Sequence, residues 1–291
     1  MAETINFVNN IAILTIEQLR QTYHENHLDG SPVGGIYHFQ LIDDVMDKAQ
    51  AYNLVPVITE IFAASNRDKY RPGVTTLPQL EKEFGEGSVE SHLLRRVYTT
   101  IELHKNSTDE LVTTLCIAYH QKGIQMGIGP MVRICKNQTI LGYQDVVSNY
   151  SCWGKEKLKK EQRDIPYLLK QVDEWFSHFD EDSERRIEFI EKCKDTTFLH
   201  DSFYQLVGRM VEQRVIVDAS FSDTTIYALN NTQINKSVEI FLQEKESIHN
   251  FWDAYNIFNR QLKPASADIP TILPQSLALH DMIAAQIGFS I

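Results

Sequence analysis

The chain predicts an α+β fold, an antiparallel sheet core with a mainly helical C-terminal region. Two observations carry that expectation. Between residues 96 and 136 apolar side chains recur at every second position, the period of a half-buried strand. After Asp164 they recur every three to four residues, the period of an amphipathic helix. One change of period along a chain segregates strands from helices instead of alternating them. The expected division is a mixed region with the central sheet over 1–163 and a mainly helical region packed on it over 164–291.

The elements follow in order. Thr15, with Gln18 three residues later, forms a capping-box signature that opens a helix from Ile16 to about Tyr23. A second helix runs from about Phe39 to Tyr52, with Phe39, Ile42, Val45, Met46 and Ala49 on one face. Val55 to Phe62 is a short apolar, β-branched run that reads as a buried strand. Ser65 to Ser91 holds Pro72-Gly73, Pro78 and Gly85-Glu86-Gly87 and reads as loop.

Three strands come next. In Arg96 to Leu103, Val97, Thr99, Ile101 and Leu103 share one face, and Arg96, Tyr98, Thr100 and Glu102 the other. Leu111 to Tyr119 repeats the alternation, and Gly123 to Lys136 is the third, with its glycines marking a bend or a close backbone approach. The short linkers predict a meander of hairpins, with one face buried and the other open to solvent or ligand.

Asp164 and Pro166 suit the start of a helix striped by Leu168, Leu169, Val172, Trp175, Phe176 and Phe179. Further helices are expected to begin near Glu181, Ser202, Thr232, Ser247 and Gln275, and Val215 to Tyr227 is expected to include a strand or an extended connector. The aromatic helix Phe251 to Asn259 is read as buried between subdomains or as a self-association face.

Composition bounds the function. With 43% hydrophobic residues the 291-residue chain can bury a large core, and no apolar run approaches a membrane span. The amino terminus has an acid and no basic stretch, so no secretory signal is expected. Cys116, Cys135, Cys152 and Cys193 lack Cys-x-x-Cys spacing and are expected to be free thiols.

No catalytic constellation emerges, and neither a catalytic residue, a metal nor a cofactor is assigned. His24 and His27 are spaced by three with no third ligand nearby, unlike the four-residue spacing that puts two imidazoles on one helix face. Gly123, Gly127 and Gly129 match no phosphate-cradling pattern, and Pro130 removes an amide such a loop would use. There is no Gly-x-Ser-x-Gly elbow.

Charge is more informative. The chain carries −11 overall, yet residues 94–163 hold eleven cations against six acids, leaving −16 for the rest. That asymmetry points to a polyanion-facing region on an acidic body, or to an ordinary solvated surface. Aromatic rings interleave with the cations at Lys69-Tyr70-Arg71, at Arg95-Arg96-Val97-Tyr98, and from Tyr150 through Trp153 to Lys160. Single strands are held by such mixtures, cations on phosphates and rings on bases. The candidate nucleic-acid-binding residues are Arg95, Arg96, Tyr98, Lys122, Arg133, Lys136, Lys155, Lys157, Lys159 and Lys160. Hairpin pairing is expected to bring Arg133 near the open face that carries Arg96 and Tyr98.

Two segments carry a resemblance. Ile124-Gln125-Met126-Gly127-Ile128-Gly129-Pro130-Met131-Val132-Arg133-Ile134-Cys135-Lys136-Asn137 resembles a strand pair of a phage- and plasmid-borne family of unknown function, and Ile248-His249-Asn250-Phe251-Trp252-Asp253-Ala254-Tyr255-Asn256 its Trp-x-x-Tyr-Asn signature. The sequence departs from that pattern at Lys136 and Gln138, where the family more often has Ser and Gly. The resemblance implies a mobile-element origin, such as a bacteriophage, and a setting in the host cytoplasm or the virion.

Three readings stay open. The first is a single-stranded DNA or RNA binder, an oligomeric accessory in annealing, replication or recombination. The second is a non-enzymatic interaction protein, such as an inhibitor of a host defence system acting on a host protein, or a virion-associated structural protein. The third is an enzyme whose site the residues do not disclose.

Overall fold

The computed structural model describes residues 11–25, 36–64, 96–105, 111–120, 123–132, 145–148, 165–220, 227–262 and 269–290. They form an α+β fold around one six-stranded antiparallel sheet: β1 (Ile11–Ile13), β2 (Val55–Ala64), β3 (Arg96–His104), β4 (Leu111–His120), β5 (Gly123–Val132) and β6 (Asp145–Ser148). The strands lie in sequence order across the sheet, so every neighbour is also a chain neighbour. The helices among these residues are α1 (Ile16–Glu25), α2 (His38–Ala51), α3 (Ile165–Ser177), α4 (Phe179–Asp195), α5 (His200–Ser220), α6 (Asn231–Glu244), α7 (Phe251–Asn259) and α8 (Ile269–Ile287).

The first turn of α1 is closed by the predicted capping box. Gln18 N–H donates to Thr15 Oγ1 at 3.1 Å, and Thr15 N–H to Gln18 Oε1 at 2.9 Å. Arg20 then ties α1 to α2 through both oxygens of Asp43, at 2.6 and 2.8 Å. Helix α2 ends where Asn53 takes a left-handed φ of 59°, and Leu54 N–H reaches back to the Ala49 carbonyl at 3.0 Å. This sharp stop feeds β2 directly.

Strand β5 is continuous. It pairs residue for residue with β4 from His120↔Gly123 to Leu111↔Val132, so the bend expected at its glycines is absent. Pro130 lies beyond the stretch that β6 pairs, Gln125 to Ile128, where β5 has no further strand partner on that side among the described residues. Residues 133–136, expected to extend the strand, lie outside the described residues, as does the loop expected over Ser65 to Ser91. The one irregularity in the β2–β3 pairing falls between Ile58 and Glu60.

One core lies between the sheet and helices α1 to α3. It gathers Val97, Ile101, Leu115, Ile117, Ile124, Met126 and Ile128 from alternate strand positions, with Leu19, Leu41, Val45, Leu168, Val172 and Phe176 from the helices. A second core is helical. Phe189, Phe203, Phe241, Trp252, Tyr255, Phe258 and Ile283 belong to it, and Phe203 stacks on Phe241 at 3.8 Å and on Phe258 at 5.0 Å. Helix α3 thus belongs to the sheet's core, although it follows Asp164 in sequence.

Helix α8 belongs to the second core through Leu279, Ile283 and Ile287 and lies on the sheet face opposite the first core. It packs on β3, β4, β5 and β6 and also on α4 and α7. The open sheet face expected at Tyr98, Thr100 and Glu102 is therefore covered. Tyr98 is 4% exposed, and Thr100, Glu102, Thr114, Cys116, Ala118 and Gln125 are also buried. Their small or polar character suggested solvent, but they line the seat of a helix. The register places Gly127 and Gly129 on the same face beside Cys116 and Thr114, where missing side chains admit a close helix.

Of Val215 to Tyr227, expected to include a strand or extended connector, residues 215–220 complete α5 and 221–226 lie outside the described residues. Two helix expectations are corrected. Helix α7 starts at Phe251, after the short 3₁₀ turn Lys245–Ser247, because the Asn250 side chain accepts from Asp253 N–H at 2.9 Å. Helix α8 starts at Ile269, not near Gln275, and holds Pro274 inside it. An interior proline costs about 3 kcal/mol in an exposed helix, and here the flanking Leu273 and Gln275 are buried on both sides.

Candidate nucleic-acid interface

The strand register defines two ends of the sheet. At one end β3 begins with Arg96, β4 finishes at His120, β5 begins at Gly123 and β6 finishes at Ser148. The pairs Val97↔Tyr119, Tyr119↔Ile124 and Gln125↔Ser148 fix these strand ends beside one another. In sequence, Arg95 precedes this end, residues 121 and 122 join β4 to β5, and residues 149–164 follow β6; all of them lie outside the described residues.

Two helices begin at the same end. Tyr119 donates its hydroxyl to the Ile36 carbonyl at 2.7 Å, and its ring meets His38 edge-on at 4.3 Å, placing the start of α2 there. The far end of α2 delivers the chain to Val55, paired with His104 at the opposite end. Helix α3 runs parallel to α2, because Lys48 bonds Asp173 at 2.7 Å and Tyr52 packs on Phe176. Its amino terminus therefore points the same way. Neither helix has an acid in its first turn. Helix N-termini of this kind favour anions, although Asp164 directly precedes α3 in sequence.

The opposite end is acidic. Helix α4 starts there, with Asp180, Glu181 and Asp182 in its first turn. Lys105, just past β3, bonds Asp180 at 2.7 Å, and Ser183 and Arg186 reach Thr113 at the start of β4, at 3.3 and 3.5 Å. The Arg186 side chain is 2% exposed, with Asp182 at 3.9 Å. On the buried face between, Glu102 Oε2 lies 3.0 Å from His104 Nε2, and the hydroxyls of Thr59 and Thr100 meet at 2.9 Å.

Of the candidate binding residues, Arg96 is placed by its backbone at the start of β3, and Tyr98 lies in the same strand. Tyr98 is corrected as a stacking platform, since its ring is covered. Arg95, Lys122, Arg133, Lys136, Lys155, Lys157, Lys159 and Lys160 lie outside the described residues. Their chain neighbours are informative. Val132, which precedes Arg133, ends β5 opposite Arg96, and ten residues of strand span about 30 Å at roughly 3.3 Å per residue. The register thus gives no support for joining Arg133 to Arg96 on one face. The helix starts were missed in the sequence reading; the acid-free first turns were legible, but their convergence depends on topology.

The aromatic helix α7 resolves in favour of burial. Phe251, Trp252, Tyr255, Ile257 and Phe258 are each at most 8% exposed, so they provide no self-association face. Among the described residues no cluster of three metal-ligating side chains occurs, and no helix is long and apolar enough to cross a membrane. Cys116 and Cys193 are buried free thiols, and burial pushes the Cys193 thiol up to about 12. No family model, curated protein or solved structure matches the chain.

Proposed function

We propose that the chain binds single-stranded nucleic acid at the sheet end where β3 begins, as an accessory protein of a phage or other mobile element in annealing, replication or recombination. One observation carries the reading. The amino termini of α2 and α3, both free of first-turn acids, share an end with Arg96, while the acidic first turn of α4 occupies the other. The cations of Arg95, Lys122 and the 155–160 segment follow or precede strand ends on that side in sequence. Phosphates would meet the helix starts and these cations together. Association into a homo-oligomer belongs to the same reading, with its surface elsewhere than α7.

A second reading, a protein partner in the host or the virion, is favoured by a different observation. Leu199, Tyr204 and Leu242 stand 66%, 50% and 55% exposed, with the Tyr204 ring against Phe241. A mobility-shift titration with a single-stranded oligonucleotide at several salt concentrations separates the two. Salt-sensitive retardation supports the first reading, and none at low salt removes it in favour of the second.

A further inference from the structure

Helix α5 buries Phe203, Leu206 and Met210 in the helical core and leaves Tyr204 and Val211 exposed on its outer face, two turns apart. Gly208 lies between them on the same stripe and is exposed too. A Cβ placed at Gly208 would meet nothing within 4 Å, and its φ is not positive. Neither crowding inside the chain nor backbone conformation therefore requires a glycine there, although glycine weakens a helix interior relative to alanine. What the missing side chain does provide is room for another backbone or a large side chain to come close. Tyr204, one turn earlier, is the matching protrusion. Its ring is held edge-on by Phe203 at 5.9 Å and by Phe241 at 5.8 Å, yet half of the residue stays exposed. A protrusion one turn from a notch on the same stripe is self-complementary: two such helices laid antiparallel seat each Tyr204 on the other's Gly208.

We propose that a second copy of this chain docks here, α5 against α5 and antiparallel, about a two-fold axis beside Gln205. In such a contact, residue i meets residue j and j meets i. The register is set by Tyr204 on Gly208, with the ring leaning towards its own helix start as helical side chains do. That register also brings Leu199, 66% exposed, to Val211, and Asp201 to Arg209, both exposed. Each of these meetings occurs twice, so opposite charges flank the apolar contact on both sides of the axis. A parallel pair would set Tyr204 against Tyr204 and Asp201 against Asp201, protrusion on protrusion and like charge on like. An unrelated partner would have no need of a face that complements itself. The proposal rests on the homo-oligomer part of the reading above and not on its nucleic-acid part, and it assigns the exposed Leu199 and Tyr204 to a contact between copies.

Sedimentation equilibrium of the full chain, without nucleic acid, tests it. The mass should climb with concentration from 33.5 kDa towards twice that value, with a dissociation constant in the micromolar range. Gly208→Leu fills the notch and should weaken the dimer by about tenfold or more. The same variant should melt no lower than the parent, because the position is open and leucine is the better helix former. Asp201→Arg and Arg209→Asp should each weaken the dimer about tenfold by setting like charges together, and the two combined should restore it. Circular dichroism checks folding, and the charge exchange decides if Gly208→Leu does not fold. A mass of 33.5 kDa at every concentration overturns the proposal and leaves the face to another protein. A dimer that folded Gly208→Leu leaves intact, or a double exchange no tighter than the single ones, overturns it as well. A monomer that still retards a single-stranded oligonucleotide removes this proposal and leaves the nucleic-acid reading standing.

Discussion

The hydroxyl of Tyr119, near the end of β4, donates to the carbonyl of Ile36 just before α2, at 2.7 Å. That bond pins a helix start to a strand end, and with it the orientation on which the proposed interface depends. Removing it by Tyr119→Phe should cost about 1 kcal/mol, the net value of such a bond. Urea unfolding monitored by circular dichroism reads the change, and a variant as stable as the parent would show that the contact does not hold α2.

His280 makes stability fall in mild acid. Its ring is 1% exposed, lies 4.2 Å from Phe189, and both nitrogens are buried without a hydrogen-bond partner among the described residues. Burial lowers its pKa from 6.5 to about 4. The unfolded chain then takes up a proton that the folded chain refuses, so stability is full above pH 6.5 and is lost as pH falls towards 4. The loss has an upper bound of ~3 kcal/mol from the size of the shift. In His280→Phe this contribution disappears, and the stability of variant and parent should converge at high pH and part in acid. Parallel pH profiles would contradict the assignment.

Phe203 is the centre of the helical core, stacked between Phe241 and Phe258. Phe203→Ala should destabilise the protein by about 3–5 kcal/mol, since the ring is fully buried and its neighbours cannot close the space completely. Chemical denaturation measures it. A cost below about 1 kcal/mol would mean that the core collapses readily around the gap.

Cys116 and Cys193 should resist alkylation in the folded protein. Both are buried, and the raised Cys193 pKa leaves almost no thiolate at neutral pH. Iodoacetamide labelling followed by peptide mass spectrometry is expected to find both unmodified until denaturant is added. Labelling of either in the native state would contradict the packing of β4 or α4.

The sequence made some of this legible. Alternation read β3 and β4 almost residue for residue, and Thr15 with Gln18 gave the start of α1. What failed was the inference from polarity to exposure. Thr100, Glu102, Thr114 and Gln125 look like a solvent face, yet they are covered by α8, an element more than 140 residues away in sequence. Alternation reports which face belongs to one core and is silent about a helix that arrives later. Strands β1 and β6 escaped notice because three or four residues carry no period. At the candidate interface, the cation excess was visible in composition, but the grouping of strand ends and helix starts follows from register alone.

The most direct test of the proposed interface compares a triple and a double replacement in segments that adjoin opposite strand ends in sequence. Binding of a single-stranded oligonucleotide is titrated across salt concentrations for the parent, for Arg95→Ala with Arg96→Ala and Lys122→Ala, and for Arg133→Ala with Lys136→Ala. Each lost phosphate contact flattens the log–log slope by about 0.7 on single strands. The expected result is a flattening of about 2 in the first variant and a slope close to the parent's in the second. No binding by the parent at low salt, or a flattening confined to the Arg133 and Lys136 variant, would contradict the account.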